Sequence, residues 1–259
     1  MSRSNPNESA VNPCKHWFQW DGGDGKGFKA YDKENKKNVI TPLPFKFLIL
    51  DRLTTVTGFN EPENIGYYSN EIRNIKEDIL TVRSKNGIEA KGTWEQVKAQ
   101  LGSKGASFAQ SVYIMFYQGK EAVLGNIKMS GAAIENWFAF CKENKIMEIG
   151  VNVKSANPKK KGKVEYFEPV FEAIKVSEAS NNAAVEMDKE LQAYLVEYLE
   201  KNKTSVDAFE TKSEPKADQP KQEVVKQDSK PAEKGDLPWE GKDAKDIVTG
   251  NDDDEQEPF

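Results

Sequence analysis

The sequence predicts a mainly β fold, an antiparallel β barrel with helical insertions, followed by a disordered acidic tail. Three observations lead to this prediction. Roughly nine short segments rich in β-branched and aromatic residues are separated by turns of Gly, Asn and Asp. Helical patterns are few, and they do not alternate with strands as they do in parallel α/β folds. After residue 203 the composition changes to Lys, Glu, Asp, Pro, Gln and Ser, which bury too little apolar surface to fold.

The first half of the chain predicts a series of hairpins. Residues 1–12 are polar, and we expect them to be flexible. Residues 15–20 and 26–31 predict two strands joined by a glycine-rich turn. Neither a helix nor a Gly-Lys-Ser/Thr sequence follows that turn, so it indicates a hairpin rather than a phosphate-binding loop. Further strands are predicted over residues 38–51, 54–57, 66–70 and 79–83.

The second half adds helices to the strands. Thr93 is a candidate N-cap for a short helix, because Gln96 follows it three residues later in a capping-box pattern. Residues 157–163 include three consecutive lysines between Pro158 and Gly162, and they predict a basic surface loop. The other predicted elements are strands over residues 109–118, 122–129, 146–153 and 164–176, and helices over residues 93–101, 130–144 and 182–203.

The net charge of -5 conceals two parts of opposite sign. From Asp207 onward the chain has 16 acidic and 8 basic residues, whereas residues 1–206 have 26 acidic and 29 basic residues. A mildly basic body therefore carries an acidic tail. This asymmetry predicts a body that meets a polyanion and a tail that meets a basic partner or the body's own basic face.

The motifs of common enzymes and metal sites are missing from the sequence. It contains no HExxH, GxSxG or Walker motif, and we do not expect an enzyme or a cofactor. Cys14, His16 and Cys141 do not supply the four ligands of a zinc site without a carboxylate, so free thiols are the simpler interpretation. No apolar run reaches membrane-spanning length, and we expect a soluble intracellular protein.

Aromatic residues interleaved with Lys and Arg predict a surface for single-stranded nucleic acid. Bases stack on the rings, and basic side chains follow the phosphates. At least half of the aromatic residues in a small barrel belong to the core, and the sequence does not show which face of each strand is open. The candidate DNA-binding residues are Trp17, Trp20, Phe28, Lys29, Tyr31, Arg52, Tyr67, Tyr68, Arg73, Arg83, Lys85, Lys154, Lys159, Lys160, Lys161 and Lys163.

The last nine residues predict a linear motif that binds protein. Five carboxylates with no basic residue among them lead into a Pro-Phe pair. An aromatic ring at this position can fill an apolar pocket, and the carboxylates can meet a basic rim around it. A tail that only keeps the protein in solution is the alternative. The candidate protein-binding residues are Asp252, Asp253, Asp254, Glu255, Glu257, Pro258 and Phe259.

The chain resembles the single-stranded DNA-binding proteins of bacteria and bacteriophages. The resemblance rests on the acidic tip with its final Pro-Phe, on the polar linker, and on residues 17–20, 25–33, 43–51 and 111–117 of the body. Bacterial tails of this family end in Asp-Asp-Asp-Ile-Pro-Phe, whereas here Glu255-Gln256-Glu257 stands in place of the isoleucine. The long insertion over residues 58–102 also departs from the compact bacterial pattern.

The resemblance implies an oligonucleotide/oligosaccharide-binding barrel (OB-fold) that binds and protects single-stranded DNA during replication, recombination and repair. It also implies that the tip docks a polymerase, helicase or primase in the cytoplasm of a bacterial or phage-infected cell. The corresponding division is a flexible start (1–12), an OB-fold-like DNA-binding domain (13–180), a helix (181–203), a disordered linker (204–250) and the acidic tip (251–259). A protein-interaction adaptor, an RNA-binding or annealing protein and a nucleic-acid enzyme are the alternatives.

Overall fold

The computed structural model describes residues 11–32 and 35–210, with side chains as far as Lys203. This part of the chain has eleven strands, three α-helices and a 3-10 turn at Gly131–Ala133. The strands are β1 His16–Trp20, β2 Gly27–Asp32, β3 Lys37–Pro42, β4 Phe45–Asn60, β5 Ile65–Ser69, β6 Leu80–Ser84, β7 Gly87–Gly92, β8 Ala106–Gln118, β9 Glu121–Met129, β10 Gly150–Lys161 and β11 Val164–Ile174. The helices are α1 Trp94–Ser103, α2 Ile134–Glu143 and α3 Glu178–Glu210.

The strands form one sheet in the order β3-β2-β1-β9-β8-β4-β5-β6-β7, and β10 pairs with both β4 and β11. The prediction of a mainly β fold with helical insertions is confirmed. The sheet is mixed rather than antiparallel, because β1 runs parallel to β9 with His16 opposite Gly125. Parallel neighbours need a long crossover, and seven other strands lie between these two along the chain. Among the described residues the strand pairing does not close into a barrel.

Strand β4 is the longest strand and connects three parts of the sheet. Its start pairs with β10, its middle with β8 and its end with β5. The sequence predicted two separate strands here, over residues 38–51 and 54–57. They are one strand: the register with β8 shifts between Ile49 and Asp51 at a β-bulge, and the strand continues beyond it.

The main core lies between the inner face of the sheet and α2. Aromatic rings from different strands meet there: the Phe18 centroid is 5.3 Å from the centroids of both Phe45 and Phe116. Trp137 of α2 is fully buried in this cluster, and its Nε1 donates a hydrogen bond of 2.6 Å to Gln110. Replacing such a side chain with alanine typically costs about 3–5 kcal/mol.

Helix α3 packs against the outer face of β4, β8 and β9. Leu191 and Leu195 are fully buried there, against apolar side chains such as Leu53 and Met115. The helix extends beyond the predicted residues 182–203 at both ends. It belongs to the folded body, because the complete burial of each leucine stabilises its packing on the sheet by about 1.5–3 kcal/mol. None of the helices that the structure describes is both long and apolar enough to cross a membrane.

The predicted basic loop at residues 157–163 is a strand and a tight turn instead. Strand β10 continues to Lys161, and Gly162, with φ of 62°, turns the chain into β11. Beyond Val153 this strand pairs only with β11, so its other edge is open and accommodates Pro158, which lacks an N–H donor. The β10–β11 hairpin, which we call the lysine hairpin, therefore presents its lysines on an extended two-stranded arm.

Candidate nucleic-acid interface

The outer face of the β1–β2 hairpin exposes two aromatic rings. Phe18 lies opposite Ala30 in this antiparallel pair, so Trp17 and Tyr31 are opposite each other at the next position. Phe18 is buried, whereas 42% of Trp17 and 59% of Tyr31 are exposed. Residues directly opposite each other in a sheet share a face. We call this pair the ring pair; two flat apolar surfaces are open to solvent on one face.

Lys29 lies on the same face, opposite Gln19, and has a partner within the protein. Its Nζ is 2.8 Å from Oδ1 of the buried Asp21. Burial alone raises the pKa of Asp21, but Lys29 and the N–H groups of Asp24 and Gly23 outweigh it and hold the pKa below its usual value. Lys29 therefore stabilises the hairpin turn, and its ion pair with Asp21 weakens the attraction of its ammonium group for an anionic ligand.

The lysine hairpin is a second exposed feature. Its five lysines are all exposed. Two of them form loose ion pairs, Lys160 with Glu165 at 3.6 Å and Lys154 with Glu172 at 3.9 Å. Exposed pairs of this kind contribute at most about 1 kcal/mol and yield readily to a phosphate. The remaining lysines have no ion-pair partner within 4.0 Å among the described residues, and they are Lys159, Lys161 and Lys163.

The lysine hairpin is attached to the β1–β2 turn. The Phe167 N–H donates a hydrogen bond of 2.8 Å to the Gly22 carbonyl, and Trp20 Nε1 donates one of 2.8 Å to the Phe167 carbonyl. The Phe167 ring lies against Gly25, where a Cβ would be 2.5 Å from the ring. Since Phe167 is opposite Pro158, the lysines that follow extend beyond this attachment. The attachment brings the lysine hairpin and the hairpin that carries the ring pair together.

Three predicted aromatic contacts belong to the core, and for these the prediction is corrected. Phe28 is fully buried, and its ring centroid is 5.3 Å from that of Trp20, which is also buried. Tyr67 is buried on the inner face of β5. All three alternate onto the inward side of their strands, so none offers a ring face to a base in this structure.

Two predicted arginines are engaged within the protein. Arg73 Nη1 and Nη2 donate hydrogen bonds of 3.0 and 2.7 Å to the Asp51 carboxylate, and Gln192 of α3 donates to it at 2.9 Å. The contacts raise the pKa of Arg73 and, against the effect of burial, lower the pKa of Asp51. Burial raises the pKa of the Cys141 thiol on α2 to about 11, and the charge of the nearby Arg52 acts against that shift. Arg73 therefore has a structural partner that a phosphate would have to displace, and Arg52 lies close to α2.

The other predicted residues of the first half lie on β5 and β6. Tyr68 is opposite Arg83, and both are exposed. Lys85, in the β6–β7 turn, donates a hydrogen bond of 3.0 Å to the Asn64 carbonyl. Sequence reasoning missed two exposed neighbours of this pair, Phe59 and Ile88. Phe59 lies two residues beyond the predicted strand 54–57, and continuing the alternation of that strand would have identified it.

Helix α3 covers the part of the sheet between the ring pair and Tyr68. Beneath it, the buried carboxylate of Glu71 accepts hydrogen bonds from the Ser111 and Tyr113 hydroxyls, the latter at 2.7 Å. Asn126 donates to Ser111 at 2.6 Å, and burial raises the pKa of Glu71 despite its hydroxyl donors and the nearby Lys128. Ser111, Tyr113 and Asn126 are fully buried and closed to a ligand, and the Asn126 Oδ1 has no hydrogen-bond partner within the described residues.

The predicted acidic tip, residues 251–259, lies outside the described residues, as does most of the predicted linker. Of the cysteines considered as metal ligands, Cys14 is buried beneath α3 and Cys141 packs with α2 against the main core. Comparisons with protein-family models, curated proteins and solved structures find no match to this chain.

Proposed function

We propose that this protein binds single-stranded DNA without sequence preference and protects it during replication, recombination and repair. The observation that carries the proposal is the exposed ring pair, Trp17 and Tyr31, on a hairpin to which the lysine hairpin is attached. Trp17 lies five residues from Gly22, so the rings and the attachment are roughly 15 Å apart along the strand. One short single strand can therefore reach both.

The proposed mechanism combines stacking with charge. A base stacked on an aromatic ring contributes roughly 1–3 kcal/mol, and every base has a face that can stack. The lysines contact phosphates, which carry no sequence information. An unpaired strand exposes its base faces, whereas a duplex buries them between neighbouring pairs. Preference for single strands and indifference to sequence both follow from this arrangement.

We further propose that the body is a partly open OB-fold-like barrel. In the sheet, β4 pairs with β8 on one side and β10 on the other. Along the chain, α2 follows β9 and precedes β10. Both features suit a five-strand barrel with one inserted helix. The lysine hairpin then corresponds to the loop between the last two barrel strands, one of the loops with which OB-folds bind oligonucleotides. Strands β5–β7 and α1 form an insertion between the first two barrel strands.

The acidic tip is proposed to recruit a polymerase, helicase or primase in the cytoplasm of a bacterial or phage-infected cell. Phe259 and Pro258 would enter an apolar pocket, and the carboxylates of residues 252–257 would meet its basic rim. The protein itself is proposed to have no catalytic role and no cofactor.

A fluorescence titration of Trp17 tests the proposal. Oligo-dT should quench the tryptophan emission, and neutralising about 4–6 phosphates should give a log–log salt slope of about -3 to -4. Trp17→Phe keeps a ring, so it should lose most of the quenching but keep its affinity in a mobility shift. Trp17→Ala should lose both, with affinity falling about 5- to 100-fold. Trp94→Phe is the buried control, because the Trp94 Nε1 has no hydrogen-bond partner within the described residues, and its quenching should match the wild type.

The competing outcomes are distinct. No mobility shift with any nucleic acid at low salt contradicts the proposal and favours a protein-interaction adaptor. Equal affinity for double-stranded DNA contradicts the stacking mechanism. Tighter binding to RNA than to DNA would point to an RNA-binding or annealing protein.

A further inference from the structure

A second exposed strip lies on the insertion β5–β7. Thr57 of β4 is opposite Tyr68, Tyr68 is opposite Arg83, and Arg83 is opposite Ile88, so these side chains share one face. Phe59 lies two residues beyond Thr57 and is opposite Gly66. The exposed fractions are 55% for Phe59, 53% for Tyr68 and 53% for Ile88.

The two rings of this strip are held apart from the core by local geometry. Gly66 has no side chain, and the Phe59 ring occupies the space above it, with Cδ2 3.9 Å from the position of a Cβ on Gly66. The neighbouring Tyr67 points inward and is buried, which fixes the outward direction of Tyr68. Phe59 and Tyr68 therefore form an open aromatic surface, as the ring pair does on β1–β2.

Basic side chains border the aromatic surface on one side. Arg83 is opposite Tyr68, Lys85 follows in the next turn, and Lys91 lies on the same face of β7, opposite Thr81. Glu61 and Glu63 occupy the turn after Phe59, where Lys85 contacts the Asn64 carbonyl. An anionic backbone is thus attracted to Arg83 and the β6–β7 strands and repelled from that turn, which leaves its bases over the two rings.

The strip and the ring pair lie on the same side of the sheet. Trp17 is in register with Asn126, Asn126 with Tyr113, and Tyr113 with Asp51. Asp51 and Thr57 are six residues apart in β4, so their side chains lie on the same face of the sheet. Thr57 is in turn opposite Tyr68 of β5. Across the sheet, β1 and β5 are four strand spacings apart, which is roughly 19 Å. Along β4, the distance from Asp51 to Thr57 adds roughly 20 Å in the perpendicular direction. Helix α3 covers the strands in between.

We infer that Phe59, Tyr68, Arg83 and Ile88 form a second base-stacking subsite for single-stranded DNA. The inference rests on the proposed function and adds to it a length dependence. A short oligonucleotide fills the ring pair alone, whereas a longer one passes α3 and fills both subsites. Binding therefore tightens between about 6 and about 16 nucleotides, within the site sizes known for single OB-folds.

The test compares dT oligonucleotides of about 6 and about 16 nucleotides. Phe59→Ala and Tyr68→Ala are each expected to weaken binding of the longer one about 5- to 100-fold, while binding of the shorter one changes less than about twofold. Tyr68→Phe keeps the ring and should bind like the wild type, whereas Tyr68→Leu keeps an apolar side chain and should bind like Tyr68→Ala. Val196→Ala, which truncates an exposed side chain of α3, is the matched control.

Each other outcome overturns the inference. If every variant binds both lengths like the wild type, the strip does not stack bases. If Tyr68→Leu binds like the wild type, or if Phe59→Ala instead changes self-association in sedimentation, the strip contacts protein rather than bases. If the wild type binds neither oligonucleotide at low salt, the proposed function fails together with the inference. Thermal melts of each variant confirm that the body is folded.

Discussion

Gly25 provides a quantitative test of the attachment between the β1–β2 turn and the lysine hairpin. Its φ is +62°, and a Cβ added there would lie 2.5 Å from Cγ and 2.7 Å from Cβ of Phe167. Gly25→Ala therefore introduces backbone strain and a steric clash together. The clash cannot be relieved by the end of a flexible chain, because the nearest atoms are at the base of the Phe167 side chain.

Gly119 separates these two effects. It has almost the same φ, +65°, but no atom lies within 4 Å of its added Cβ. Gly119→Ala should cost about 1 kcal/mol, the left-handed strain less the gain from a stiffer unfolded chain. Gly25→Ala should cost the same amount plus about 1–3 kcal/mol for overpacking. The difference between the two free-energy costs measures how closely Phe167 packs on the β1–β2 turn.

Urea unfolding monitored by tryptophan fluorescence gives both values. With a denaturant slope of about 2 kcal/mol/M, Gly25→Ala should unfold at about 0.5–1.5 M less urea than Gly119→Ala. Phe167→Gly removes the Cβ as well as the ring, so in that background the clash is absent and Gly25→Ala should cost only about 1 kcal/mol. Coincident midpoints for Gly25→Ala and Gly119→Ala would refute the close packing of Phe167 on the turn.

Two further predictions concern a structural ion pair and the tail. The pKa of Asp51 is lower in the folded protein than in the unfolded chain, where it is about 3.9. The ionised carboxylate therefore contributes to folding stability above about pH 3.9, and this contribution is lost as the pH falls through the folded pKa. Asp51→Asn should cost roughly 2–3 kcal/mol at pH 7, and its melting temperature should fall less than that of the wild type between pH 5 and pH 2.5; parallel curves would contradict this reasoning. Deleting residues 251–259 should preserve or strengthen binding to oligo-dT while abolishing capture of purified helicase, primase or polymerase. Loss of DNA binding with capture retained would reject that division of roles.

Local signals in the sequence were sufficient for several elements. The helix expected from Thr93 and Gln96 begins at Trp94, and the Thr93 N–H donates a hydrogen bond of 2.8 Å to Gln96 Oε1. The hairpin expected around residues 21–25 is also present, with Gly25 at positive φ in its turn. Both depend on residues close together in the chain, which is why a single sequence is enough to find them.

Features that depend on distant residues were not predictable. Whether Trp17 or Trp20 faces solvent depends on which side of β1 the core occupies, and that is decided by strands more than 20 residues away. The parallel pairing of β1 with β9 and the bulge beside Asp51 have the same origin. The position of α3 over the sheet was also hidden, since an amphipathic stripe shows that a helix packs but not on what.

The burial of α3 determines which surface remains for a ligand. Lifting the helix would expose Leu191 and Leu195 together with the sheet residues Leu53, Met115 and Leu124. At about 1.5–3 kcal/mol for each side chain, that exposure costs about 7–15 kcal/mol. Micromolar binding supplies only about 8 kcal/mol in total. We therefore expect single-stranded DNA to leave α3 in place, so that the proposed binding uses the exposed rings on either side of it, at β1–β2 and at β5–β7.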